Sequence, residues 1–278
     1  MMTPNPKPME SWPQEKKSVA LSWQALFTGL MFFYMYLPIF VLTVYSFNRS
    51  AYSAGWTGFS WRWYGKLFKD GRILRALENS LGVALLAVTL AAILGTMMAV
   101  GLAKYRFWGK TLYRGVSYLP LIVPDIAIAV STLIFLAVLG IQLSLWTIVI
   151  AHVVFCLAYV AIVVSSRLAN LDPHLEEAAL DLGATPLQAF IQVLLPELAP
   201  AIIAGCLLSF VLSMDDFLIA SFTAGTGSTT LPMEIFSRIR TGVKPDINAL
   251  SVLLMLSSGA VALLAEYLRY KGAQRRGN

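Results

Sequence analysis

Residues 177–196 read EAALDLGATPLQAFIQVLLP, a polar segment set between two very apolar stretches. Just ahead of it, Asp172-Pro173 is a helix start, because an Asp oxygen can accept an orphan backbone N–H and Pro loses nothing at the first helical position. A helix is predicted from about Pro173 to Leu182, ended by Gly183, which enters the left-handed conformation at little steric cost. Thr185-Pro186 repeats the cap and start, predicting a second helix from about Pro186 to Leu194, closed by Pro196 and Pro200. The segment 173–196 therefore reads as a helix-turn-helix lying in a loop. Ala178 and Ala179 present almost no side chain, so a partner surface can approach their backbone closely, and Glu176, Glu177 and Asp181 put negative charge on the same short helix.

The chain around this loop is 58% hydrophobic and only 13% charged, with a mean hydropathy of +0.70. That is too apolar for a water-soluble domain of 278 residues. A hydrocarbon core of roughly 30 Å needs about 20 apolar residues in a helix. Runs of that kind occupy 24–47, 79–103, 112–139, 143–166, 198–222 and 248–267, predicting an all-α polytopic membrane protein with six spans. The first run is too long for a cleaved signal and lacks a small-residue exit, so it is expected to stay. The resulting division is a polar head at 1–24, a membrane domain at 25–270 and a basic tail at 271–278.

Six spans put both ends on one side of the membrane. The head, the loop near Lys104 to Arg114, Arg167 and the tail hold 12 basic residues against 9 opposite, six of which lie between Arg49 and Arg75. Short loops near span ends decide such a comparison, and the Lys104, Arg106, Lys110, Arg114 cluster and the tail place both termini, with the loop, in the cytoplasm. The net charge of +6 then suits anionic headgroups rather than nucleic acid.

Several constellations carry no chemistry of their own. Cys156 and Cys206 fall inside apolar runs and read as packed thiols, no Cys/His spacing suggests a metal, and His152 and His174 read as hydrogen-bonded or solvated. Gly109-Lys110-Thr111 invites a phosphate-loop reading, but position 104, where that loop needs Gly, is Lys. The chain is therefore expected not to hydrolyse ATP by itself.

Between the first two runs, Trp56, Trp61, Trp63 and Tyr64 among Arg62, Lys66 and Lys69 predict an interfacial helix, with ring contact to a cationic substrate as the alternative. Between the last two, Gly225 to Thr230 is turn-rich and Leu231 to Arg240 reads as a short helix with a Glu234/Arg238 i, i+4 pair, a cap for the bundle or a partner contact. Asp125, Asp215 and Asp216 lie in apolar runs, where a charge must face protein, water or a cation. Pro124 predicts a disturbed helix beside Asp125. Gly205, Ser209, Ser213, Asp216 and Ala220 form one small and polar stripe, so Asp216 with Ser213 is expected to face a pathway and Asp215 a partner group, while helix contact is the plainer reading of the same stripe.

The spacing E-A-A, three residues, Gly, nine residues, an aliphatic, one residue, L-P resembles the cytoplasmic loop signature of ABC importer permease subunits, with Val193 where Ile is commoner. The match implies that Glu177, Ala178, Ala179, Gly183 and Pro196 dock an ATPase. Ser213 to Phe217, Ile219 to Phe222, Thr229 to Pro232, Pro245 to Leu250 and Val123-Pro124-Asp125 are further similar to the permeases of putrescine and spermidine importers. That resemblance implies a second homologous permease, two ATPase subunits that bind the ATP and Mg, a periplasmic polyamine-binding protein and a bacterial inner membrane. Two other functions compete on the acids alone. A proton-coupled secondary carrier would use Asp125 or Asp216 as a relay, and an intramembrane aspartyl hydrolase would pair them.

Overall fold

A computed structural model describes residues 23–51, 55–242 and 244–276, with side chains described to residue 260. The described residues are almost wholly helical, with one isolated bridge between Asn48 and Phe59 as the exception. The helices are α1 (Trp23–Tyr45), α2 (Arg62–Leu67), α3 (Gly71–Lys104), α4 (Lys110–Ser117), α5 (Asp125–Val138), α6 (Leu145–Ala169), α7 (His174–Asp181), α8 (Pro186–Ala189), α9 (Leu195–Asp215), α10 (Leu218–Thr223), α11 (Leu231–Arg240) and α12 (Pro245–Arg276).

Among the described residues, four elements are long and apolar enough to cross a membrane: α1, α3, α6 and a continuous helical element, Pro186–Asp215. A fifth is added if α4 with its 3₁₀ extension and α5, which bend by 109°, count as one span. The expected run 248–267 coincides with α12, but its side chains beyond 260 lie outside the described residues, as do the head to residue 22 and the side chains of the tail. The 109° bend falls at Ile122 to Pro124 and answers the break expected from Pro124, whose φ of −56° and ψ of 137° take the chain out of helix.

The core is built by α3, α6 and α9. They approach closely because two glycines meet one valine: a Cβ on Gly95 would lie 3.0 Å from the Val160 Cβ, and one on Gly205 would lie 3.2 Å from the Val160 Cα. Small residues at such crossings replace hydrophobic collapse as the source of packing in lipid. By contrast α1 buries none of its side chains, and among the described helices it packs mainly against α12.

At the end of the bundle remote from 173–196, Arg238 ties three elements together. It contacts Asp70, the N-cap of α3, at 2.8 Å, Glu234 of α11 at 2.8 Å and Asp246 of α12 at 3.3 Å. The expected i, i+4 pair is thus one arm of a larger ion cluster. Burial alone would raise the Asp70 carboxyl, but Arg238 and the N–H groups of Arg72 and Ile73 outweigh it and hold the group below its ordinary value.

The aromatic segment divides. Trp56 and Trp61 stay exposed, whereas Trp63 is 3% exposed and donates its Nε1–H to Asn48 O at 2.7 Å. Tyr64 meets Ser46 Oγ at 2.8 Å. Trp63 is therefore a core residue rather than an interfacial ring, because its indole N–H finds a carbonyl that the loop folds back to supply.

Candidate functional site

The capped segment forms as the sequence dictates on its first half. The Asp172 carboxylate accepts from His174 N at 2.9 Å, and α7 follows. Gly183 has φ +89°, Gly183 N donates to Leu180 O at 2.9 Å and Ala184 N to Ala179 O at 3.1 Å. This pair of bonds is the Schellman closure, which needs a residue at home in the left-handed region. Thr185 and Gln188 form a reciprocal capping box at the start of α8.

The second half departs from expectation. Pro196 does not close the helix. Instead Phe190–Leu194 widens into a π turn, with Leu195 N donating to Phe190 O, and the chain continues into α9. Pro196 has no N–H for the Gln192 carbonyl and its ring crowds that turn; a wider turn just ahead absorbs both problems without ending the helix. Pro200 is likewise carried inside α9. The segment is thus anchored by Ala189, Leu194 and Leu198, all buried, and is rigidly joined to the span behind it.

Its outer face is open. Glu177, Ala178 and Asp181 are exposed, and Ala179 is half-buried. Leu182 and Leu187, 90% and 66% exposed, flank the Gly183 turn. These two leucines were not singled out by the sequence reading, although two apolar residues beside a Gly turn in a polar loop are a usable signal for a docking surface. Glu176 differs from its neighbours: it pairs with Lys104 at the end of α3. His174 Nδ1 lies 3.0 Å from Glu177 Oε2, and that contact raises the His174 pKa.

The carboxylates in apolar elements occupy two breaks. Asp125 is the first residue of α5, directly after the 109° bend, and is exposed. Asp215 ends α9 and is exposed, with no hydrogen bond or ion pair among the described residues. Asp216 adopts extended backbone, with φ −68° and ψ 122°, and both of its oxygens accept from α10: Ile219 N at 3.2 Å and Ala220 N at 2.8 Å. The helix through Asp215 therefore stops and restarts, and α10 packs against α5, the other element that begins at a break. Asp125 and Asp216 share no hydrogen bond among the described residues, whereas an aspartyl acid/base pair shares a proton.

The small stripe is packed. Gly205, Ser209, Ser213 and Ala220 are all buried. Ser209 Oγ donates to Cys156 O at 3.3 Å, and Ser213 Oγ lies 2.8 Å from His152 Nδ1. The pattern marks the α6–α9 crossing, so the accessible charge belongs to Asp125 and Asp215. His152 is 1% exposed, and its Nε2 approaches Asp216 Oδ2 at 3.2 Å without the alignment of a formed hydrogen bond. Leaving a buried polar atom unsatisfied costs about 1–3 kcal/mol.

Comparison with known proteins adds the following. Residues 91–270 match the family described as binding-protein-dependent transport system inner membrane component. The chain is 45% identical over 261 residues to the putrescine transport system permease protein PotI of Escherichia coli (strain K12), covering 91% of this chain and 93% of that one. It is 40% identical over 245 residues to the spermidine/putrescine transport system permease protein PotC of Haemophilus influenzae, covering 88% and 95%. Among solved structures, a bacterial ABC transporter involved in the import of the acidic polysaccharide alginate superposes with a TM-score of 0.71 at 16% identity, covering 88% of this chain and 94% of that one. The MetNI methionine ABC transporter, in an inward-facing conformation, superposes with a TM-score of 0.57 at 20% identity, covering 76% and 97%.

Proposed function

This chain belongs to the binding-protein-dependent transport system inner membrane components, and from that premise we propose that it is the permease subunit of an ATP-driven importer for polyamines, putrescine, spermidine or both. It forms half of a translocation pathway with a second homologous permease in the bacterial inner membrane, with both termini in the cytoplasm. Two cytoplasmic ATPase subunits bind ATP and Mg and do the hydrolysis; a periplasmic binding protein delivers the cargo. The chain itself catalyses nothing.

One observation carries the mechanism: Pro186–Asp215 is a single helical element of 30 residues, about 45 Å long. Its near end is the docking segment and its far end is the break at Asp215 and Asp216. Closure of the ATPase dimer pushes on the face made by Glu177, Ala178, Ala179, Asp181, Leu182 and Leu187. Gly183 fixes the angle between α7 and α8, and the π turn before Pro196 passes the displacement into the span rather than dissipating it at a proline break. Two bundle states a few kcal/mol apart are then biased by ATP on one side and by the loaded binding protein on the other.

The cargo side has a simple chemistry. Ammonium groups separated by methylenes are met by spaced carboxylates, here Asp125 and Asp215, while Asp216 and Ser213 shape the break behind them. Weak binding at each carboxylate lets the cargo leave. The test is uptake of labelled putrescine and spermidine into proteoliposomes holding the complete complex, each polyamine-binding protein added separately. ATP-dependent uptake of at least one amine is expected; uptake of neither, with ATP hydrolysis intact, removes the cargo assignment.

A further inference from the structure

The one buried histidine in a span is not used by the mechanism so far, and its surroundings are specific. His152 sits on α6 two turns from the Leu145 end, facing the place where α9 stops. Its Nδ1 is 2.8 Å from Ser213 Oγ, the last buried residue of α9, and its Nε2 is 3.2 Å from Asp216 Oδ2, the residue that caps α10. With the Ser213 hydroxyl donating to Nδ1, the ring carries its proton on Nε2, aimed at the Asp216 side. That proton is off line for a hydrogen bond, so the ring is held firmly by α9 and loosely by the start of α10.

We propose that His152 is a positioning residue for the proposed pathway: anchored on Ser213, it holds the Asp216 carboxylate over the start of α10, and the Nε2 approach closes to a direct hydrogen bond when the break changes state. The reasoning is geometric. Asp216 already serves two backbone N–H groups, and a third donor lies within 0.5 Å of an ideal contact, so a small rotation of α10 relative to α6 exchanges one set of partners for another. Phe217, adjacent to Asp216, packs in a tilted contact on Phe236 of α11 with centroids 4.3 Å apart, so the same rotation is felt at α11.

This inference rests on the polyamine-permease reading, and its test separates the two. A Gln amide reaches the Nε2 position and an Asn amide the Nδ1 position. In the complete complex, His152→Gln should keep polyamine uptake near wild type with an unchanged KM. His152→Asn should lose roughly tenfold or more in maximal rate, as expected for removing one hydrogen bond to a charged group. Hydrogen exchange at Ile219 and Ala220 should quicken in His152→Asn and not in His152→Gln, a readout that needs no knowledge of the cargo. Asn rescuing better than Gln, or both behaving alike in exchange and uptake, overturns the proposal. Absence of polyamine uptake in wild type, with the exchange pattern as stated, overturns only the cargo.

Discussion

At the scale of single residues, Gly183 and Glu177 separate conformation from contact. A Cβ at Gly183 would meet nothing within 4 Å, so Gly183→Ala is not a steric change; its cost is the left-handed φ of +89°. That cost is about 1–2 kcal/mol, and it should appear as faster hydrogen exchange in α7 and reduced uptake at normal membrane insertion. Glu177 is linked to His174, whose pKa is raised by Glu177 through the hydrogen bond first and the charge second. A raised histidine pKa means that the pair is intact below the ordinary value and lost as pH rises through the raised one. An NMR titration of the His174 ring should show that upward shift, and Glu177→Gln should remove most of it, leaving the smaller contribution of Asp172. The Asp acids differ among themselves. Asp125→Asn and Asp215→Asn should raise the KM for polyamine by neutralising accessible charge, whereas Asp216→Asn should first disturb the α10 cap; equal effects of all three on KM would contradict this division.

At the scale of elements, the end of the bundle remote from 173–196 depends on Arg238, which three carboxylates surround. Arg238→Ala leaves Asp70, Glu234 and Asp246 facing one another. The expected loss is about 3 kcal/mol, the low end for breaking a buried ion pair because the rim stays wet. Asp70 sets the pH dependence. Its pKa is lowered, so its contribution is complete above the ordinary carboxylate range and is lost as pH falls through the lowered value. Thermal unfolding in detergent should therefore show an acid limb that Asp70→Asn flattens. In the core, Gly205→Val should cost about 1–3 kcal/mol by overpacking against Val160, read from the same melts.

These elements also show where sequence reasoning reached and where it stopped. The caps at Asp172 and Thr185, the stop at Gly183 and the break at Pro124 were legible because each is a local matter of donors, acceptors and allowed φ. The break at Asp216 was not legible, since Phe217-Leu218-Ile219 continues an apolar helical pattern and no Pro or Gly interrupts it. There the Asp216 carboxylate caps α10 through Ile219 N and Ala220 N, and α10 packs against α5, so the chain restarts where a continuous helix was expected. Pro196 misled for the opposite reason. A proline normally ends a helix, but a π turn one step earlier removes the conflict, and only the folded chain reveals that choice. The stripe from Gly205 to Ala220 was seen correctly as special, yet the same small residues serve helix contact, and Val160 decides between the two uses.

At the scale of the whole molecule, the chain is an inner membrane component of a binding-protein-dependent transport system. α1 is unburied along its length and α7 to α8 carry apolar side chains to the surface, so both the lipid-facing and the loop surfaces are made to be covered. In the proposed importer the partner subunits cover the loop surface, and the continuous element from Pro186 to Asp215 gives the proposed route by which force enters. The central claim is that ATP hydrolysis by partner subunits drives transport through the 173–196 segment. The most direct test measures ATP hydrolysis and labelled polyamine uptake together in proteoliposomes of the assembled complex, for wild type and for Glu177→Lys. The account predicts ATP-dependent uptake in wild type, and in Glu177→Lys a complex that inserts normally but whose uptake falls by about tenfold or more, as for loss of a charged contact at an interface hot spot. Uptake unchanged in Glu177→Lys, or driven by a pH gradient through this chain without its ATPase partners, would contradict it.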